Sequence, residues 1–273
     1  MTARITVKNP ERFRARYGPW AVVTGASSGI GRGMTAPLAA AGVNMVLVAR
    51  HGDVLDDLAT ELTRVHGVRT LVVPADLGTP QGVQAVQTAT GDLDVGLFIA
   101  AAGYGTSGDF LGSGLDAELD MLAVNCSAVL AGTWHFARRF ARRGRGGIVL
   151  LGSLVGFQGT PRASHYAATK AYIQTLAEGL HHEFRPAGVD VLSCAPGRVR
   201  SGFAGRAGMS EGGQRVETVA VATLDALGRA MTVTPGAQSK ILTWSLAPLP
   251  RSLRVRMMAR VMKGLTSHPG GTR

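Results

Sequence analysis

Short apolar runs alternate with stretches of helical period along most of the chain. WAVVTG (20–25) is an apolar run that ends in a glycine turn. NMVLVAR (44–50), TLVVPAD (70–76), DVGLFIAAAG (94–103), GIVLLGS (147–153) and DVLSCAPG (190–197) repeat the type. Runs that are apolar throughout, instead of alternating, predict strands buried on both faces. Between them, residues 29–41, 53–65, 80–90, 117–143 and 163–185 read as helices. In the second of these, Leu55, Leu58, Leu62 and Val65 share one face, and Asp53 is placed to cap the start. Pro37 conflicts with its helix, where it removes a hydrogen bond and should kink the axis. Such alternation makes a parallel sheet with helices on both faces, because parallel neighbours need crossover helices. No repeat or low-complexity linker interrupts it. We read one domain over 1–273, with a core of about 18–236 and a basic helical extension at 237–273.

Composition supports a folded, water-facing protein. Of 273 residues, 45% are hydrophobic and 17% charged, which excludes a disordered chain or a coiled coil. The net charge of +11 is unevenly placed. Residues 1–16 carry +4, residues 138–145 carry +5 and residues 251–273 carry +6, so the body is mildly acidic. That distribution, without an aromatic platform, argues against a nucleic-acid partner. The arginines at 138–145 are expected to form a solvated face or to attract an acidic carrier protein. Cys126 and Cys194 both lie in apolar runs, as expected of reduced thiols in a cytoplasmic protein. The first residues lack the apolar segment of a secretory signal, and no run approaches the ~18 apolar residues of a membrane span. No metal site is expected.

Two constellations carry chemistry. Thr24-Gly25-Ala26-Ser27-Ser28-Gly29-Ile30-Gly31 follows the first strand and opens the first helix. A turn of this kind collects backbone N–H groups and the positive helix end at one point, which suits a pyrophosphate. The end of the second strand, about twenty residues on, is where an acid would meet ribose hydroxyls. Here the strand ends in Arg50, whose guanidinium suits a 2′-phosphate, so NADP is favoured over NAD. The second constellation is Tyr166 and Lys170 at i,i+4, on one helical face. A nearby ammonium lowers a phenol pKa and makes it a general acid/base. Ser153 ends the preceding strand and faces the same crevice.

With these motifs the chain resembles the short-chain dehydrogenase/reductase family, from about residue 20 to residue 201. The likeness rests on T-G-x-x-x-G-I-G at 24–31, Asp76-Leu77, A-A-A-G at 100–103 and Asn125 in Val124-Asn125-Cys126. It continues through Ser153, Y-x-x-x-K at 166–170 and Pro196-Gly197. The resemblance implies a Rossmann-type doubly wound sheet and NADP(H)-dependent interconversion of a ketone or aldehyde and an alcohol. It implies Tyr166 as proton donor or acceptor and Ser153 as the group that positions the carbonyl. Lys170 would bind the nicotinamide ribose, and Asn125 would hold a water that links Lys170 to solvent. Gly25, Ser27, Ser28, Gly29, Ile30 and Gly31 would cradle the phosphates, and Asp76 and Leu77 would meet the adenine. Ala102 and Gly103 would let the cofactor approach, while Pro196, Gly197, Val199 and Ser201 would border the nicotinamide. Ala100-Ala101 stands where the family usually has two asparagines, the first of which mainly braces the sheet.

The loop at 199–216 is expected to close over substrate. The long end resembles that of a branch acting on apolar carbonyl or hydroxysteroid-like compounds. In RSLRVRMMARVMKGL (251–265), Leu253, Met257, Val261 and Leu265 are placed near one face among arginines. That helix packs on its own domain or a partner subunit, or lies on an anionic membrane surface. By resemblance the helices at 117–143 and 163–185 meet copies in a homodimer or homotetramer. A non-catalytic NADP-binding regulator is the alternative, against which the intact Asn125–Ser153–Tyr166–Lys170 set argues.

Overall fold

The computed structural model describes residues 6–208 and 212–266. In chain order the helices and strands are α1 (Pro10–Tyr17), β1 (Trp20–Thr24), α2 (Gly29–Ala40), β2 (Asn44–Ala49), α3 (Gly52–His66) and β3 (Thr70–Pro74). There follow α4 (Pro80–Ala89), β4 (Val95–Ala100), α5 (Leu115–Leu122), α6 (Ala128–Arg143), β5 (Gly146–Leu151), α7 (Ser164–Phe184) and β6 (Val189–Cys194). The last are α8 (Phe203–Arg206), α9 (Val216–Ala226), β7 (Thr232–Val233), α10 (Ala237–Leu246) and α11 (Arg251–Thr266).

Among the described residues, the seven strands are all parallel, in the order β3-β2-β1-β4-β5-β6-β7. Alternate side chains explain why the strands read as unbroken apolar runs. Val23, Leu47, Ile99 and Leu192 point to one side, against Met34 and Leu38 of α2, Leu55 of α3 and Leu224 of α9. Val22, Val46, Phe98 and Ile148 point to the other, against Val86 of α4, Phe136 and Phe140 of α6 and Ile173 of α7. Both faces are covered, as a parallel sheet requires. The order reverses between β1 and β4, and a ligand crevice forms at such a switch point, beyond the strand C-termini.

Several expectations need correction. The stretch 117–143 is two α-helices joined by a wider, π-type turn at Ala123–Ser127. Asn125 sits in that turn, fully buried. Asp53 does not cap α3; His51 occupies the cap position without a side-chain bond, and Asp53 lies exposed in the first turn. Its charge there still favours the helix dipole. Val65 turns away from Leu55, Leu58 and Leu62 and is 53% exposed. The helix with Pro37 continues only to Ala40. Residues from 6 onward, ahead of the expected core at about 18–236, pack on it. Phe13 and Tyr17 of α1 join the core, and the Tyr17 hydroxyl donates to Asp190 at 2.7 Å. Arg4, Arg273 and residues 209–211 of the glycine-rich loop lie outside the described residues.

Candidate active site

The turn between β1 and α2 folds back tightly on the helix it opens. A Cβ on Gly31 would lie 2.4 Å from the Gly25 carbonyl oxygen, so only glycine fits. Gly25 has φ +67°, and a Cβ there would lie 2.8 Å from the Ala102 amide. Backbone N–H groups at the start of α2 therefore face an open space that side chains would otherwise fill. Thr24 ties this turn to the next strand. Its hydroxyl accepts from Ala101 N (3.0 Å) and Ala102 N (3.1 Å) and donates to the Ile99 carbonyl (3.2 Å). Thr24 thus supplies part of the bracing that Ala100 cannot.

One cleft of about 750 Å³ runs across the C-terminal ends of the strands. It takes in Gly25, Ser27, Ser28, Gly29, Ile30, Arg50, Asp76, Leu77, Ala102 and Gly103. It continues past Ser153, Tyr166, Lys170, Pro196, Gly197, Val199 and Ser201. Of the residues expected in the site, only Gly31 and Asn125 stand behind its wall, Gly31 inside the turn and Asn125 below the surface. Arg50 is exposed at the rim beyond β2. Asp76 follows the neighbouring strand β3, its carboxylate accepting from Gly78 N at 2.9 Å.

Tyr166 and Lys170 project from one face of α7 into the middle of the cleft. Both are nearly inaccessible, at 8% and 7%. Burial pushes the Tyr166 phenol up to about 12, against a smaller opposing effect of the neighbouring Ser153 hydroxyl. Lys170 donates to the Leu151 carbonyl at 2.8 Å, and burial lowers it to about 8. The ammonium lies 5.8 Å from the centre of the Tyr166 ring. The expectation that this lysine alone pulls the phenol below 10 is therefore corrected for the cofactor-free protein. Desolvation outweighs a weakly coupled neighbour.

Asn125 braces this pair from behind. Its amide donates to the Tyr104 carbonyl (2.8 Å) and to Thr169 Oγ1 (3.1 Å), and its Oδ1 accepts from Tyr104 N (3.1 Å). Both amide hydrogens are taken by protein partners, and the turn after β4 is thereby fixed against α7.

The far half of the cleft is apolar. The Phe203 ring lies 5.5 Å from that of Tyr166, and Met262 packs in the same cluster with Tyr104 and Val155. Met258, Val261, Met262 and Leu265 of α11 and Leu242 of α10 complete the wall. Sequence reasoning missed Met258 and Met262. It grouped Leu253 and Met257 with Val261 and Leu265, whereas Leu253 and Met257 face outward. The missed signal was the i,i+4 pair one position further round the helix. The described residues contain no cluster of three potential metal ligands, and both cysteines are free and buried.

The profile described as short chain dehydrogenase matches residues 19–211. The chain belongs to the short-chain dehydrogenase family. This dehydrogenase is 33% identical over 179 residues to a 7β-hydroxysteroid dehydrogenase of Collinsella aerofaciens, across 66% of this chain and 68% of the relative. A solved 7β-hydroxysteroid dehydrogenase superposes with TM-score 0.83 at 28% identity, covering 90% of this chain and 98% of that one. A short-chain dehydrogenase from Sphingobium yanoikuyae, solved in complex with NADPH, gives TM-score 0.75 at 30% identity over 94% and 99%. The fold expected of this dehydrogenase, a doubly wound parallel sheet, is the fold observed.

Proposed function

We propose that this dehydrogenase uses NADP(H) to interconvert an apolar ketone and its secondary alcohol. One observation carries the reading: Ser153 and Tyr166 line one cleft together, between the glycine turn that opens α2 and an apolar wall. The cradle of Gly25 and Gly31 and the start of α2 fit a pyrophosphate, and Arg50 at the rim fits a 2′-phosphate. A bound nicotinamide supplies or accepts the hydride. The protein does the rest. Ser153 donates to the carbonyl oxygen and fixes its position, and Tyr166 gives that oxygen its proton. A phenol with a pKa of about 12 is fully protonated at neutral pH, which suits reduction. Phe203, Met258 and Met262 exclude water from that transfer and select apolar substrates, consistent with hydroxysteroids as the substrate class. Leu119, Leu122, Leu130 and Trp134, all exposed on α5 and α6, form the apolar face on which a second copy would pack.

The test is Tyr166→Phe. The variant should bind NADPH as before and lose on the order of 10²- to 10⁴-fold in kcat with a bulky ketone. Turnover within a few-fold of the original protein would refute the assignment.

A further inference from the structure

The helices α10 and α11 have a second face that the cleft does not use. The segment 237–266 contains six basic residues and no Asp or Glu. Arg254 is engaged within the protein, donating to the Leu249 carbonyl at 2.8 Å and to the Ala247 carbonyl. Lys240, Arg251, Arg256, Arg260 and Lys263 are exposed. So are large apolar groups, with Trp244 at 72%, Ile241 at 65% and Val261 at 43%.

At 100° per residue, α11 divides into three arcs. Met258 and Met262 point into the protein. Leu253, Met257 and Val261 form the adjacent outward stripe, and Arg256, Arg260 and Lys263 lie beyond it. An exposed apolar stripe edged by cations, with a neighbouring tryptophan, has the make-up of an interfacial helix. Leu242 and Val261 belong to both faces, since they line the cleft and are also exposed. The apolar wall of the cleft thus runs without a break onto the outer surface.

We propose that α10 and α11 dock this protein on an anionic lipid surface, with the substrate mouth of the cleft opening at that surface. Charge complementarity selects this occupant. A second copy is disfavoured here, because a two-fold contact sets the same patch against itself and this patch carries one sign only. The face on α5 and α6 is different: exposed Asp116 accompanies Arg138 and Arg142, so both signs of charge are present there. No helix among the described residues is long and apolar enough to cross a membrane, so the contact is peripheral. Apolar substrates would pass from lipid to Tyr166 without crossing water. The docking itself does not rest on the catalytic reading.

The test uses the full chain and vesicles of phosphatidylcholine, with or without phosphatidylglycerol. The protein should co-sediment with the mixed vesicles at low salt and not with phosphatidylcholine alone. Arg256→Glu, Arg260→Glu and Lys263→Glu together should weaken binding on the order of 100-fold, since each cation near such a surface contributes roughly fivefold. In a Trp134→Phe background, Trp244 emission should shift to the blue on mixed vesicles, because Trp20 is buried. Unchanged binding by the triple variant, no sedimentation, or a Trp244→Ser variant that alters oligomeric state instead would each overturn the proposal. No turnover is measured, so failure here leaves the Tyr166 assignment standing, and the converse also holds.

Discussion

An ammonium group inside a protein costs free energy unless it is paired, and among the described residues Lys170 has only the Leu151 carbonyl as a hydrogen-bond partner. Its pKa falls from 10.5 to about 8 on folding. Above 10.5 the lysine is neutral in both states and carries no penalty. As pH falls from 10.5 to 8, the unfolded chain takes up the proton first, and stability is lost. Below 8 both states are charged and the loss is constant. Lys170→Met removes this cycle. In the cofactor-free protein, the stability of the original relative to the variant should rise on the order of 3 kcal/mol between about pH 7 and pH 10.5. Urea titrations at the two ends measure it, and a difference independent of pH would show that the lysine is solvated. Tyr166, pushed the other way to about 12, stays neutral through most of that window. The identity of these two residues was legible from Y-x-x-x-K and its place after a strand. Their pKa values were not, because spacing reveals which side chains share a face but not how much water remains around them.

The arginines at the end of α6 show the same limit for a whole element. Five of them in eight residues read as a solvated face, yet two turn inward. Arg139 donates to the carbonyls of Thr90 (2.8 Å) and Leu93 (2.6 Å), and Arg143 to those of Val95 (3.0 Å) and Gly18 (2.7 Å). They tie α6 to the entry of β4 and satisfy main-chain acceptors that follow α4. Arg138, Arg142 and Arg145 are exposed, as expected. A charged donor bonded to a half-buried acceptor is worth about 1.5–3 kcal/mol, whereas an exposed arginine is worth less than about 0.5. Arg139→Ala should therefore lower the urea midpoint clearly and Arg142→Ala should not; equal effects would remove the clamp. Elements with strong apolar period, β1 through β6 and α2 through α7, were readable to within a few residues. What escaped depended on tertiary contact. The short α1 carries only Phe13 and Tyr17 inward, and the π-type turn at Asn125 exists because its amide must reach Tyr104 and Thr169. Met258 and Met262 became the inward face of α11 because the cleft lies on that side.

Across the molecule, the cleft joins two ends with separate tasks. Arg50 follows β2, toward one edge of the sheet, and Met262 comes from α11 at the other end, against Tyr166. No described hydrogen bond or ion pair links the two. Distant sites without shared partners act additively. Arg50→Ala should weaken NADPH on the order of tenfold to a hundredfold and leave NADH nearly unchanged, since only a 2′-phosphate loses a charged bond. Met262→Ala should leave both cofactors alone. It should lower kcat/KM for a bulky apolar ketone about tenfold or more and cost about 2–4 kcal/mol of stability, because the methionine is 2% exposed. In the double variant the two losses in kcat/KM with NADPH should multiply, to within a factor of about two. A product far from that value would mean that the ends communicate, with α8 and the residues before α9 as the connecting elements. Gln214 is placed to carry such a signal, since its amide donates to the Pro235 carbonyl at 2.9 Å and its backbone bonds Arg198 and Arg200. Gln214→Ala in the same cycle then separates the cases: it restores additivity if that strap is the link, and changes nothing if the two ends are independent.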